Sequence, residues 1–437
     1  MAKTAAMSSN PPLPASLVQR HLDWSHKQGR ILTANGRANE YYAKEDFTEK
    51  ELPHYFLRSG ETHTVFRQFT QEQKDSPICG AWSRPLFCGT WEHSTLAEET
   101  VYNVQTRSLF VDLRIPTTRS WVLPSGATSL SSLSNEELRY YARQHVFAGF
   151  SRVTTEPDDD RPVCVRHHCI DWNYVGVPRS RPNKWWIETP NEGTAPPPMW
   201  KEWAYAVDEN KQHYYMERWQ RLENGGGNPG CLRIALRKCP SEGDPDGVLV
   251  VVGVSNATGR SKCTATILLL LLLLLVQQLN VVLALSLSLL LTFLCLFLIV
   301  QDHFNYVLGR TLPKEGDKEV SSSSSSLVDL VDAALQKGDR QTAERYCGID
   351  AGHGRVSEGW RIDAAVQPWK EGTALWNNNN NNNNDKVVVE GTTLQDCRIV
   401  WNDAAWNVYE CSLDSVEKLQ QILGNRKQNP TADTTKD

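Results

Sequence analysis

Residues 267–300 run for 34 positions without a single charge, and no other stretch limits the fold of this 437-residue chain so strongly. About twenty apolar residues suffice for a helix to cross the hydrocarbon layer of a bilayer. Residues 281–300 alone reach that length. At face value the run is a transmembrane helix, interrupted by Gln277, Gln278 and Asn280. Its neighbours argue otherwise. Gly247-Val-Leu-Val-Val-Val-Gly253 reads as a buried strand, and Asp302-His-Phe-Asn-Tyr-Val-Leu-Gly-Arg310 as the strand returning beside it. A helix spanning lipid between two paired strands would put the halves of one sheet on opposite faces of a membrane.

The genetic code supplies another account. Val254-Ser255-Asn256 can be encoded as a good 5′ splice donor (GTG AGT AAC) and Val300-Gln301 as a good acceptor (GTA CAG). The Leu-, Phe-, Ser- and Cys-rich residues before the acceptor are what a pyrimidine tract translates into, and Leu291-Thr292 permits a branch point. Residues 254–301 are 48 codons, so their removal preserves the frame. We read the segment as a retained intron; the alternative is a single-pass membrane span within 267–300. The segment's only charges are Arg260 and Lys262, so without it 389 residues remain and the net charge moves from −5 to −7.

The rest divides by composition. Residues 1–85 form a polar N-terminal extension with one helix expected across 15–28. Short alternating strands punctuated by Gly and Pro follow, including a hairpin from Glu99-Thr-Val-Tyr-Asn-Val-Gln-Thr106 and Ser108-Leu-Phe-Val-Asp-Leu-Arg-Ile-Pro116. Further strands are expected at 146–150, 163–169 and 184–188. The joint Thr194-Ala-Pro-Pro-Pro198 divides a first domain, 86–193, from a second, 194–412. The second holds strands at 199–208, 213–222, 231–237, 247–253, 303–309, 343–350, 359–366, 387–389, 397–401 and 407–411. Helices are expected at 327–337 and 413–423, the latter opening a C-terminal tail, 413–437. The low-complexity tracts 321–326 (Ser) and 377–384 (Asn) read as loop spacers. The fold class is mainly β, two tandem antiparallel barrels.

Bulk composition excludes some functions. A charged fraction of 22% with 46 basic against 51 acidic residues offers no field for nucleic acid. Eleven cysteines without a CxxC pair, and an N-terminus without a signal-peptide pattern, place free thiols in a reducing compartment. The expected location is cytoplasmic, or membrane if 267–300 is inserted. Fifteen Trp, thirteen Tyr and eleven Phe are ample for two cores.

Several segments come in a familiar order: Leu109-Phe-Val-Asp-Leu-Arg114, His145-Val-Phe-Ala-Gly-Phe150, Trp200-Lys-Glu-Trp203 and Asp246-Gly-Val-Leu-Val-Val-Val-Gly253. Cys347-Gly-Ile-Asp-Ala-Gly-His-Gly-Arg355, Trp369-Lys-Glu-Gly372 and Trp406-Asn-Val-Tyr-Glu410 continue it. In these the chain resembles the fungal HRI protein family, named for association with a casein kinase I homologue. The resemblance covers about residues 86–253 and 302–412 and skips 254–301. It implies a pair of lipocalin-like β-barrels, a kinase-type protein partner and no established catalysis; it carries over no functional residues.

Candidate chemistry is sparse. Cys164-Val-Arg-His-His-Cys169 holds zinc-ligand types, but neighbours on a strand face opposite ways, so no four converge. Cys347 and His353 could form a nucleophile and base, or belong to a strand entering a glycine-rich turn. The run Asn224-Gly-Gly-Gly-Asn-Pro-Gly230 lacks the ending of a phosphate loop and reads as a hairpin loop. Trp185, Trp186, Trp200, Trp203 and Trp219 cluster near the joint, and Trp360, Trp369, Trp401 and Trp406 near the end. They pack cores, or they wall an apolar pocket in which Arg114, Arg361 or Glu371 orients a ligand, with Trp185, Trp200 and Trp369 as walls. No metal or cofactor is expected. The favoured function is a non-catalytic intracellular binding or adaptor protein, engaging a protein partner or a small apolar ligand. A barrel-cavity enzyme and a single-pass membrane protein are the alternatives.

Overall fold

The computed structural model describes residues 78–89, 93–94, 99–123, 126–156, 159–172, 175, 183–189, 199–208, 211–226, 231–238, 247–253, 302–309, 326–376, 387–394, 396–401 and 404–424. The helix expected across 15–28, the apolar run 254–301 and the asparagine tract lie outside them. Among the described residues no helix is long and apolar enough to cross a membrane.

One antiparallel sheet contains β1 (Gly80–Gly89), β2 (His93–Ser94), β3 (Glu99–Gln105), β4 (Leu109–Pro116), β5 (His145–Glu156), β6 (Asp159–Asp171), β7 (Asn183–Glu188), β8 (Met199–Asp208) and β9 (Lys211–Arg221). Apart from the short β2 it is a meander, and β1 pairs with both β3 and β9, so eight strands close on themselves. Closure corrects the domain boundary. β8 and β9 lie beyond the proline joint, yet they complete the first barrel, because about eight strands enclose an interior that side chains can fill. The barrel also begins before residue 86. Pro85 hides β1 in the sequence pattern, and a register shift between Ser83 and Leu86 accommodates it.

The second sheet contains β10 (Arg233–Lys238), β11 (Gly247–Gly253), β12 (Asp302–Leu308), β13 (Asp350–Arg355), β14 (Arg361–Ala365), β15 (Val388–Glu390), β16 (Arg398–Trp401) and β17 (Ala404–Cys411). Its order is β14-β13-β12-β11-β10-β17-β16-β15. Among the described residues β14 and β15 do not pair, so this unit is a curled half-barrel. Both edges are blunted. Gly372 N donates to Ile362 O and Leu375 N to Trp360 O, each at 2.8 Å, covering β14. Val389 N of β15 donates to Gln420 Oε1 at 2.9 Å.

β11 and β12 pair along their whole length, from Gly247 with Leu308 to Gly253 with Asp302. The two ends of the apolar run are therefore cross-strand neighbours, as their sequences require. β11 is buried on both faces, which explains its unbroken apolar run. Val248, Val250 and Val252 meet Leu109, Val111 and Leu113 of β4, whereas Leu249 and Val251 point into the half-barrel. Asn305 ties the sheets together, donating to Tyr102 O at 3.0 Å and Val111 O at 2.9 Å.

The helices are α1 (Arg119–Val122), α2 (Asn135–Tyr141), α3 (Leu327–Gln336), α4 (Arg340–Tyr346) and α5 (Val416–Leu423). Ser326, last of the serine tract, caps α3 by accepting from Asp329 N at 3.2 Å. α4 occupies residues expected as a strand; the strand is β13, which carries the glycines expected in a turn. They serve close approach there: a Cβ at Gly352 would lie 2.8 Å from the Tyr306 ring, and one at Gly354 2.7 Å from Phe304.

Candidate functional site

Closure turns one face of every first-barrel strand inward. On β3 that face carries Glu99, Val101, Asn103 and Gln105; on β4 it carries Phe110, Asp112 and Arg114. Polar residues alternating with apolar ones ordinarily mark a solvated face. Here the lumen holds Arg84, Arg114, Arg166, Glu99, Asp112, Glu202 and Glu217, none more than 7% exposed.

The guanidiniums bridge the acids. Arg84 contacts Glu217 at 2.7 Å and Glu99 at 2.9 Å. Arg114 contacts Asp112 at 2.8 Å and Glu217 at 3.5 Å, and Arg166 lies 4.0 Å from Asp112. Burial alone would raise Asp112, but Arg114, Arg166 and a bond from Asn103 hold its carboxyl below the usual range. Glu202 behaves oppositely. It is the direct cross-strand partner of Glu217, and burial together with that neighbour pushes its pKa well above the usual carboxylate range. Trp219 Nε1 donates to Glu202 at 3.2 Å. Burial likewise lowers His145, which stays neutral with Nδ1 3.8 Å from Glu99. Glu99 Oε1, Glu217 Oε2, Asn103 Oδ1, both His145 ring nitrogens and the Trp185 and Trp200 indole nitrogens have no hydrogen-bond partner among the described residues.

Below this charged layer lies a tryptophan floor. Trp200 stacks on Trp219 at 5.6 Å, Trp82 meets Trp200 edge-on at 6.0 Å, and Trp185 packs with them. Of the expected pocket residues, Arg114, Trp185 and Trp200 thus share the lumen. Arg361, Trp369 and Glu371 do not. Arg361 is half exposed between Glu358 and Asp363, and Trp369 packs against the core between the sheets. Glu371 pairs with Arg119 of α1 and accepts from Ala365 N at 3.0 Å, clamping the two units together. The side chains of Trp186 and Trp203 lie outside the described residues. Sequence reasoning overlooks Arg84, Glu99, Asp112, His145, Arg166, Glu202 and Glu217, whose one signal is a polar residue at alternate strand positions beside tryptophan.

Among the described residues the half-barrel encloses no such layer. Phe304, Trp360, Trp376, Trp401 and Trp406 contact one another in series at 4.1–5.2 Å. α5 closes over them with Leu419 and Leu423, and Trp360 Nε1 donates to Ile422 O at 3.0 Å.

The sequence's other candidates are engaged elsewhere. Burial pushes the Cys164 thiol up to about 11, beside Ser151, and raises Cys347 as well. His353 stacks between Tyr102 at 4.1 Å and His303 at 5.3 Å, with Nδ1 donating to Asn305 Oδ1 at 2.7 Å. His168 Nδ1 lies 2.7 Å from Asp171. No group of three or more His, Cys, Asp or Glu among the described residues is arranged to hold a metal.

No family model matches the chain, and neither curated proteins nor solved structures yield a match. The family resemblance rests on its sequence segments.

Proposed function

We propose that the protein is a non-catalytic intracellular binding protein whose first barrel receives a small ligand, while the half-barrel is a solid partner that braces it. The carrying observation is the contrast of interiors. Buried polar atoms without partners are costly, on the order of 1–3 kcal/mol each, and a native fold retains them where water or a ligand completes them. The first lumen has several; the half-barrel's ring series has Trp376 Nε1 and is otherwise filled by its own rings and plugged by α5.

The test is recovery. The full chain is equilibrated with a cell metabolite extract, isolated by gel filtration and denatured, and the released molecules are weighed by mass spectrometry. A stoichiometric small molecule that alters tryptophan emission is expected. An empty protein whose emission also ignores laurate, haem and retinol would remove the reading.

A further inference from the structure

We propose that the first barrel's ligand is a small organic cation, an ammonium group on an aromatic or apolar body. This rests on the reading of that barrel as the binding module. Among the described residues the lumen places Glu99, Asp112, Glu202 and Glu217 beside Arg84, Arg114 and Arg166 in one desolvated layer. Arg84 and Arg114 both address Glu217, the residue directly opposite Glu202. Glu217 Oε2 and Glu99 Oε1 remain buried without a donor among the described residues. A buried carboxylate oxygen left without a donor is strongly unfavourable, so such a group takes up a proton or a cation. Burial and Glu217 keep the proton on Glu202 in the unliganded chain. An ammonium ion that carries its own charge displaces that proton and gives the unpartnered oxygens a donor.

The aromatic surroundings suit the same guest. Arg166 lies over Phe110 at 4.2 Å and over Trp185 at 5.1 Å, Arg114 over Phe147 at 5.2 Å, and Arg221 over Trp82 at 4.1 Å. The Trp200–Trp219 stack, two residues along its strands from Glu202 and Glu217, is the ring pair beside these two acids. A fatty acid would add a further negative charge to the layer and is disfavoured.

Calorimetric titration of the full chain with phenethylamine, 2-phenylethanol and phenylacetate tests this. Phenethylamine is expected to bind at least tenfold more tightly than either analogue, releasing a proton seen as a buffer-dependent enthalpy. Glu202→Gln should abolish the preference without lowering the unfolding midpoint. Equal binding of the alcohol or the acid overturns the cation assignment and leaves the binding module standing. Binding of none of the three overturns it too, and metabolite recovery then decides the module separately.

A second inference has an independent source, the register at the apolar run. We infer that the chain without residues 254–301 is a complete folding unit, closed there by a two-residue type II′ turn. Val252 and His303 are cross-strand partners. Gly253 N turns away from β12 and donates to Leu232 O at 3.1 Å. In an antiparallel ladder the facing groups alternate, so Val252 is the residue that exchanges backbone bonds with His303. Joining Gly253 to Asp302 leaves two residues, Gly-Asp, between a hydrogen-bonded pair, and glycine first is the signature of a type II′ hairpin.

The shortened and full chains, each with and without Gly253→Ala, decide the matter. The shortened chain should keep its β circular dichroism and unfold no earlier than the full chain. Gly253 has no positive φ in the full chain but needs one in the turn. Gly253→Ala should therefore reduce the folded-to-unfolded ratio about tenfold in the short form and hardly at all in the long one. A short form that fails to fold, or equal effects in both, refutes the inference.

Discussion

The two units share antiparallel meander pairing yet fill their interiors by opposite means. The first closes through β1–β9 around a layer of ion pairs above a tryptophan floor. The second stays open between β14 and β15, and indoles and α5 occupy the space that closure would have enclosed. Backbone closure and interior packing are thus alternative ways to finish a curled sheet. A closed ladder satisfies its own edges, so its lumen is free to be polar. An open one must be held by side-chain burial, so its interior is apolar.

The sharpest way to break that contrast is to cut one residue from each interior. Trp360 is fully buried and holds a φ of +61°, a conformation rare for a bulky residue, which only its packing sustains. Trp360→Ala should cost about 3–5 kcal/mol in guanidinium unfolding. In the first barrel Arg84→Ala takes the guanidinium from Glu99 and leaves Glu217 only its longer contact to Arg114, and should cost about 3–5 kcal/mol. The two losses differ in remedy. Replacing Arg84 by Met together with Glu99→Gln should recover most of the stability, since one cation and one anion leave together and the layer stays balanced. A cost below about 1 kcal/mol for Arg84→Ala would mean the lumen charges are solvated like surface pairs, and the contrast would fail.

What the sequence discloses follows the same division. Strands with apolar stretches on one or both faces, such as β11 and β4, are legible because burial and periodicity agree. So is the adjacency of Gly253 and Asp302. The lumen is illegible because Glu99, Asn103 and Asp112 alternate with apolar neighbours as a solvated face would, and only the long-range β1–β9 pairing reverses their meaning. β8 and β9 are misassigned for a related reason: a proline-rich joint marks a loop but does not say which sheet the next strand joins. Residues 343–346 read as a strand from their composition, while Asp339 caps them as a helix by accepting from Thr342 N at 3.0 Å.

Acid and base should separate the two regions next. His303 and His353 belong to the second sheet, and burial depresses both. The unfolded chain takes up their protons below about pH 6.5 while the folded chain refuses them. Stability is therefore complete above that pH and falls as the solution is acidified. Glu202 has the opposite sign: its folded pKa is raised, so its contribution is complete below about pH 4.5 and is lost as pH rises toward the folded value. Urea midpoints between pH 4 and 8 should lose part of their acid limb in His353→Gln, the remainder belonging to His303 and to His145 of the first barrel, and should lose their alkaline decline in Glu202→Gln. An identical profile in both variants would show that neither group is linked to folding as the burial implies.

The smallest effect concerns how the open sheet is finished. Gln420 of α5 accepts from Val389 N on the outer edge of β15, and the adjacent Val388 is 38% exposed. Gln420→Ala removes one hydrogen bond and should cost about 0.5–1.5 kcal/mol. Because the freed edge can then pair with another chain, the variant should also show concentration-dependent association by light scattering. The first barrel, closed on itself, has no equivalent long edge to expose. If Gln420→Ala lowers stability but leaves the protein as dispersed as before, α5 acts only as a plug for the interior, and protection of β15 must come from the shortness of the strand itself.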